Sequence, residues 1–128
     1  MGLDMYLNGE RYFFDRPPPE SGKPACKAEI YELGYWRKHP NLHGYIVETF
    51  ADGKDECQQI HLSEERLLQI IEAVKAKELP YTTGFFFGAS DGSDEEMQED
   101  ITILQSALEW LHTKEQGIWR SVYYQASW

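Results

Sequence analysis

The segment from Ser93 to Lys114 restricts the fold more than any other. Ser93-Asp94-Glu95-Glu96 has the form of a capping box, a serine at the N-cap with a glutamate three residues on. Behind it Met97, Ile101, Leu104, Leu108 and Leu111 recur at spacings of four and three, which predicts one long helix with a single apolar stripe. Such a stripe has to be buried against another layer, so the rest of the chain must supply a surface for it.

Two strands are predicted near the chain's ends. Leu3, Met5 and Leu7 alternate with Asp4 and Tyr6. Ile118, Arg120, Val122, Tyr124 and Ala126 alternate with Trp119, Ser121, Tyr123 and Gln125. Asn8-Gly9, followed by Glu10 to Phe14, predicts a tight hairpin. Arg16 to Pro24, with Pro17-Pro18-Pro19, is an exposed loop of polyproline character. Ala28 to Lys38 is expected to be helical through Ile30, Leu33 and Tyr35, although Gly34 weakens it, and His39-Pro40 breaks or restarts it.

Leu42 to Phe50 is a second short helix ended by Asp52-Gly53, and Cys57 to Leu62 is a candidate strand. Ser63 caps a further helix that carries Leu67, Ile70, Ile71 and Val74 and ends near Glu78, with Leu62 placed to staple onto Leu67. Thr82 to Ser90 holds the aromatic run Phe85-Phe86-Phe87 between Gly84 and Gly88. The expected architecture is one α+β domain over residues 1–128. A small antiparallel or mixed sheet from the terminal strands is covered on one face by about four helices.

Length and charge bound the function. The 128 residues suffice for one core, and 22 acidic against 12 basic side chains give a net charge of −10. That charge repels nucleic-acid backbone and anionic membrane, so partners selected by charge should be basic. No stretch approaches the ~20 apolar residues of a membrane span. Asp4 stands where a secretory segment would carry a base, and Cys26 and Cys57 form no C-x-x-C, so free thiols in a cytoplasmic protein are expected.

Catalytic motifs are scarce. The chain has no G-x-S-x-G, Walker loop, G-x-G-x-x-G or H-E-x-x-H. His39 and His43 have a spacing that metal sites use, but Pro40 falls between them and no third ligand is local, so a structural or surface role is expected and neither metal nor other cofactor is assigned. The acids Asp91, Asp94, Glu95, Glu96, Glu99 and Asp100 do not form an EF-hand. Counted from Asp91, the glycine position holds Glu96 and the last ligand position holds Thr102. Cys57 with His61 or His43 lacks a third group to orient it, and as a strand residue Cys57 reads as a small core hydrophobe.

Polar aromatics gathered with charges are the unusual feature: Tyr35-Trp36-Arg37-Lys38, Phe85 to Phe87, and Tyr123 to Trp128. They either cover the edge of the core with wet polar tips or form a binding surface. These residues also carry a resemblance. Gly2-Leu3-Asp4-Met5-Tyr6-Leu7, Gly34 to Lys38 followed by His43, Leu79-Pro80 with Gly84 to Gly88, and Tyr123-Tyr124-Gln125-Ala126-Ser127-Trp128 resemble, in order, the motifs of a family of small phage, prophage and bacterial proteins with no settled activity. Its members usually carry tyrosines where this chain has Asp91 to Glu96, and Pro17-Pro18-Pro19 looks like a local insertion. The resemblance implies a site made from Asp4, Tyr6, Trp36, Arg37, His43, Asp100, Tyr123, Gln125 and Trp128, converging where the terminal strands meet the helices.

Three functions compete. The first is a phage- or prophage-type accessory module that binds a host protein or a small planar ligand through these polar aromatics; a DNA-mimicking version would need its acids at phosphate-like spacing over one face. The second is a small enzyme using Asp4, His43 or Arg37 on a phosphate or nucleotide, which requires a concave pocket. The third is a structural protein that forms homo-oligomers through the aromatic patches. Binding is the leading expectation.

Overall fold

A computed structural model describes residues 2–83, 88–90 and 92–128. Four strands, β1 (Asp4–Phe13), β2 (Ala28–Arg37), β3 (Ile60–His61) and β4 (Ile118–Ser127), form one sheet in the order β2-β1-β4-β3. Every pairing is antiparallel. Helices α1 (Pro40–Phe50), α2 (Glu64–Lys75) and α3 (Asp94–His112) supply the second layer. The α+β class, with the two terminal strands in one sheet, is as the sequence predicts. The aromatic run Gly84 to Phe87 and the first acid of the acidic run, Asp91, lie outside the described residues.

The core lies between the helices and one face of the sheet. Leu3, Met5, Leu7, Val122, Tyr124 and Ala126 point inward from the chain's two ends. They meet Leu42 and Ile46 of α1, Leu67, Ile70 and Val74 of α2, and Ile101, Leu104 and Ala107 of α3. The predicted caps are in place. Ser63 Oγ accepts the Arg66 N–H and Ser93 Oγ accepts the Glu96 N–H. Leu62 and Leu67, the expected staple, are both fully buried. Helix α2 stops at Lys75, short of Glu78, because Lys77 turns left-handed at φ 56°. Lys77 N–H then bonds to Val74 O and Glu78 N–H to Ala73 O, which closes a Schellman turn.

Three predicted elements are corrected. Asn8-Gly9 makes no hairpin, because β1 runs straight through it from Asp4 to Phe13. Glycine is required there by a close approach: a Cβ on Gly9 would lie 2.6 Å from the ring of Trp110 in α3. The expected helix from Ala28 to Lys38 is instead strand β2 through Arg37, which leaves three helices among the described residues. A bulge hides it. Leu7 faces Gly34 while Asn8 faces Glu32, so Leu33 is an extra residue and the alternation expected of a strand is broken. Finally, the expected strand over Cys57 to Leu62 shrinks to Ile60–His61, and Cys57 sits outside it at φ 57°, half-buried with a free thiol.

Candidate functional site

The register sorts the predicted site residues onto two faces. Asp4, Arg37 and Ser127 are cross-strand neighbours, as are Tyr6, Tyr35 and Gln125, and Asn8 pairs with Glu32 and Tyr123. Residues directly opposite share a face, and successive pairs alternate. Asp4, Tyr6, Arg37, Tyr123 and Gln125 therefore lie together on the face turned away from the helices. Trp36 and His43 are buried on the helical side. Trp128 lies beyond β4, where its indole N–H bonds to Asp55 Oδ1 at 3.2 Å. The single convergence implied by the motif resemblance is not found. Asp4 and Arg37 thus share the outer face, while His43 lies on the other side of the sheet.

On the outer face, the Tyr35 hydroxyl donates to Asp4 Oδ1 at 2.5 Å, and Arg37 lies 3.9 Å from the same carboxylate oxygen. The rings of Tyr6 and Tyr35 are 5.3 Å apart. Gln125 Nε2 donates to Cys57 O at 2.9 Å. Further along the face Tyr12 pairs with Ala28 and Trp119, and Glu10 with Ile30 and Ser121. Trp119 is 70% exposed and Ile30 60%. No described outer-facing residue of the sheet is buried.

The helical side holds two hydrogen-bonded chains of the same composition, hydroxyl–His–Asp–Trp, one through His39 at the N-cap of α1 and one through His43 a turn further on. In the first, His39 Nδ1 meets Ser90 Oγ at 2.7 Å and Nε2 meets Asp100 Oδ2 at 2.8 Å. Trp36 Nε1 donates to Asp100 Oδ1 at 2.9 Å. In the second, His43 Nδ1 meets the Tyr124 hydroxyl at 2.6 Å and Nε2 meets Asp55 Oδ2 at 2.8 Å, with Trp128 on Asp55. Ionised carboxylates only accept, so each Nε2 carries a proton, and in a neutral imidazole Nδ1 then accepts from the hydroxyl. The two histidines thus belong to separate hydrogen-bonded chains, and both are buried.

The first chain borders a cleft of about 150 Å³ lined by His39, Asn41, Lys77, Glu96, Met97 and Asp100, among others. Glu96 Oε1, which accepts the Gly92 N–H at 3.1 Å, lies 3.6 Å from His39 Nε2. Although Ser90–His39–Asp100 has the connectivity of a nucleophilic relay, Ser90 is not among the residues lining the cleft. Its oxygen also accepts the Asn41 N–H at 3.1 Å. The hydroxyl is held as a strut between loop and helix.

Sequence reasoning singled out His39 only for its spacing from His43 and missed Asp55 and Ser90. Asp55 and Ser90 meet their histidines across loops that carry no local pattern. Asp100 had a readable signal: it falls beside Ile101 on the apolar stripe, three residues after Met97, where a carboxylate needs buried donors.

Burial, and secondarily the charge of Asp55, raises the Tyr124 hydroxyl well above the ordinary tyrosine pKa of 10.0. The folded state holds this proton more tightly than the unfolded one, so the contribution is fully present below pH 10 and is lost as pH rises further. Thermal melts between about pH 9 and about pH 11 should fall with pH, and Tyr124→Phe should remove part of that slope. An identical slope in the variant would show that other groups carry it.

Comparison with protein-family models, curated proteins and solved structures finds no match for the chain. Among the described residues no helix is long and apolar enough to cross a membrane.

Proposed function

We propose that the protein is a binding module, of the phage-accessory kind its motifs resemble, and that it docks a basic protein partner on the outer face of the sheet. The observation that carries this reading is the uncovered sheet face, on which Trp119, Ile30 and Tyr12 stand exposed beside Tyr6, Tyr35 and Arg37. Aromatic anchors surrounded by polar groups are the composition from which interface hot spots are built. Charge defines the partner: Asp4, Glu10 and Glu32 share this face with Arg37, in a chain of net charge −10. A basic surface would be steered toward it and held less firmly at high salt.

The test compares affinity capture from bacterial lysate by the native chain, by Ile30→Ser/Trp119→Ser, and by a helix-side control, Leu68→Ser. All three positions are exposed, so each variant should fold. The expected result is a basic protein retained by the native chain and by the control, released by salt, and bound at least ~30-fold more weakly by the outer-face variant. Retention unchanged in the outer-face variant, or lost equally in the control, would refute this reading.

A further inference from the structure

We infer that the cleft beside His39 is a binding site for one first-row divalent cation, with His39 Nε2, Asp100 and Glu96 as its protein ligands. The donor atoms of these three side chains all lie within 4.8 Å of one another. His39 Nε2 is 2.8 Å from Asp100 Oδ2 and 3.6 Å from Glu96 Oε1. Three ligands each about 2.1 Å from a common ion are separated by roughly 3–3.5 Å, so small side-chain rotations close the set. One imidazole nitrogen and two carboxylates suit Zn²⁺ or Mn²⁺ better than Ca²⁺ or Mg²⁺, which favour all-oxygen sites.

The surroundings argue for a built site. Metal-binding histidines and carboxylates are oriented by a hydrogen bond on the atom that does not face the ion. Both buried ligands have one. Ser90 Oγ holds His39 by Nδ1, and the Trp36 indole holds Asp100 by Oδ1. Metal binding shifts one proton on His39 and turns the Ser90 O–H away from Nδ1 to another acceptor or water. As the ion takes Nε2, the His39 proton moves to Nδ1 and is donated to Ser90 Oγ, whose second lone pair already receives the Asn41 N–H. The two carboxylates carry a charge that a divalent ion cancels, and Asp100 and His39 are both buried. The N-terminus of α3 opposes a cation by only about half a charge. The cleft leaves the ion's remaining positions to water or a ligand. Lys77 stands at its rim, paired to Asp94 at 3.3 Å, where it would favour an anionic ligand.

The experiment is titration of chelator-stripped protein with Zn²⁺ and, separately, Mn²⁺, read by calorimetry and native mass spectrometry. The expected result is one ion per chain and a raised melting temperature. Trp36→Phe should weaken binding by about 10–100-fold and Glu96→Gln by more, with circular dichroism showing each variant folded. His112→Gln tests the exposed His112–Glu64 pair, 2.9 Å apart, and should change nothing. The site is overturned if neither ion binds, if Glu96→Gln binds as the native chain does, or if His112→Gln abolishes binding. Because Glu96 lies on the helical side, its substitution should leave partner capture by the sheet face intact, so this inference and the proposed docking surface can fail separately.

Discussion

Asp100→Ala is expected to destabilise the metal-free protein by about 3–5 kcal/mol, the cost of breaking a buried charged contact from one side. The carboxylate is 2% exposed and accepts from both His39 Nε2 and Trp36 Nε1. Alanine leaves two buried donors without an acceptor, each worth about 1–3 kcal/mol. Set against a total of about 5–15 kcal/mol for a domain, the loss would be visible as a large drop in the urea midpoint. Asp100→Asn should cost less, because its amide oxygen still serves one of the two donors. A loss below about 1 kcal/mol for alanine would mean that Asp100 does not hold this network.

Gly9→Val should cost about 3 kcal/mol, the upper part of the range for overpacking a filled core. A Cβ there meets two ring atoms of Trp110 at 2.6 Å and Leu33 Cδ1 at 2.9 Å. Trp110 has little room to give way, since Arg120 stacks on its ring at 4.6 Å and Tyr31 lies 6.1 Å away. Adding Trp110→Leu should return part of the loss, which makes the pair strongly non-additive. Denaturant melts of the two single variants and the double variant measure that coupling. Additive effects would show that the ring is not what Gly9 accommodates.

The same glycine shows what could be read before the fold was seen. Asn8-Gly9 is a strong local turn signal, but the reason for glycine is 101 positions away in α3, and no window of sequence contains both. Strand β2 was hidden for a related reason. Its bulge at Leu33 turns consecutive residues inward and imitates a helical spacing around Ile30, Leu33 and Tyr35. Capped, strongly periodic elements were legible because their cause is local: Ser63 and Ser93 sit where their helices begin.

The site was half legible. The polar character of Asp4, Tyr6, Arg37, Tyr123 and Gln125 marked them, and strand alternation groups them on one face once the pairing is known. Trp36 is separated from them by the same alternation, which sends neighbouring strand residues to opposite sides, while His43 belongs to α1 in the helical layer. Asp55 and Ser90 could not be found this way, because each reaches its histidine across loops.

Strand order carries a consequence for the protein's synthesis. β1 and β4 pair at the middle of the sheet, joining Asp4–Phe13 to Ile118–Ser127. A nascent chain can form α1, α2 and α3 as it emerges, but Leu3, Met5 and Leu7 have no neighbouring β4 until residue 127 has left the ribosome. Folding of the central sheet must therefore wait until β4 has emerged, and is slow for a fold of this size because its decisive contacts are the most distant ones. Messages interrupted before β4 would yield products with a sticky amino-terminal strand, suited to chaperone capture and rapid proteolysis.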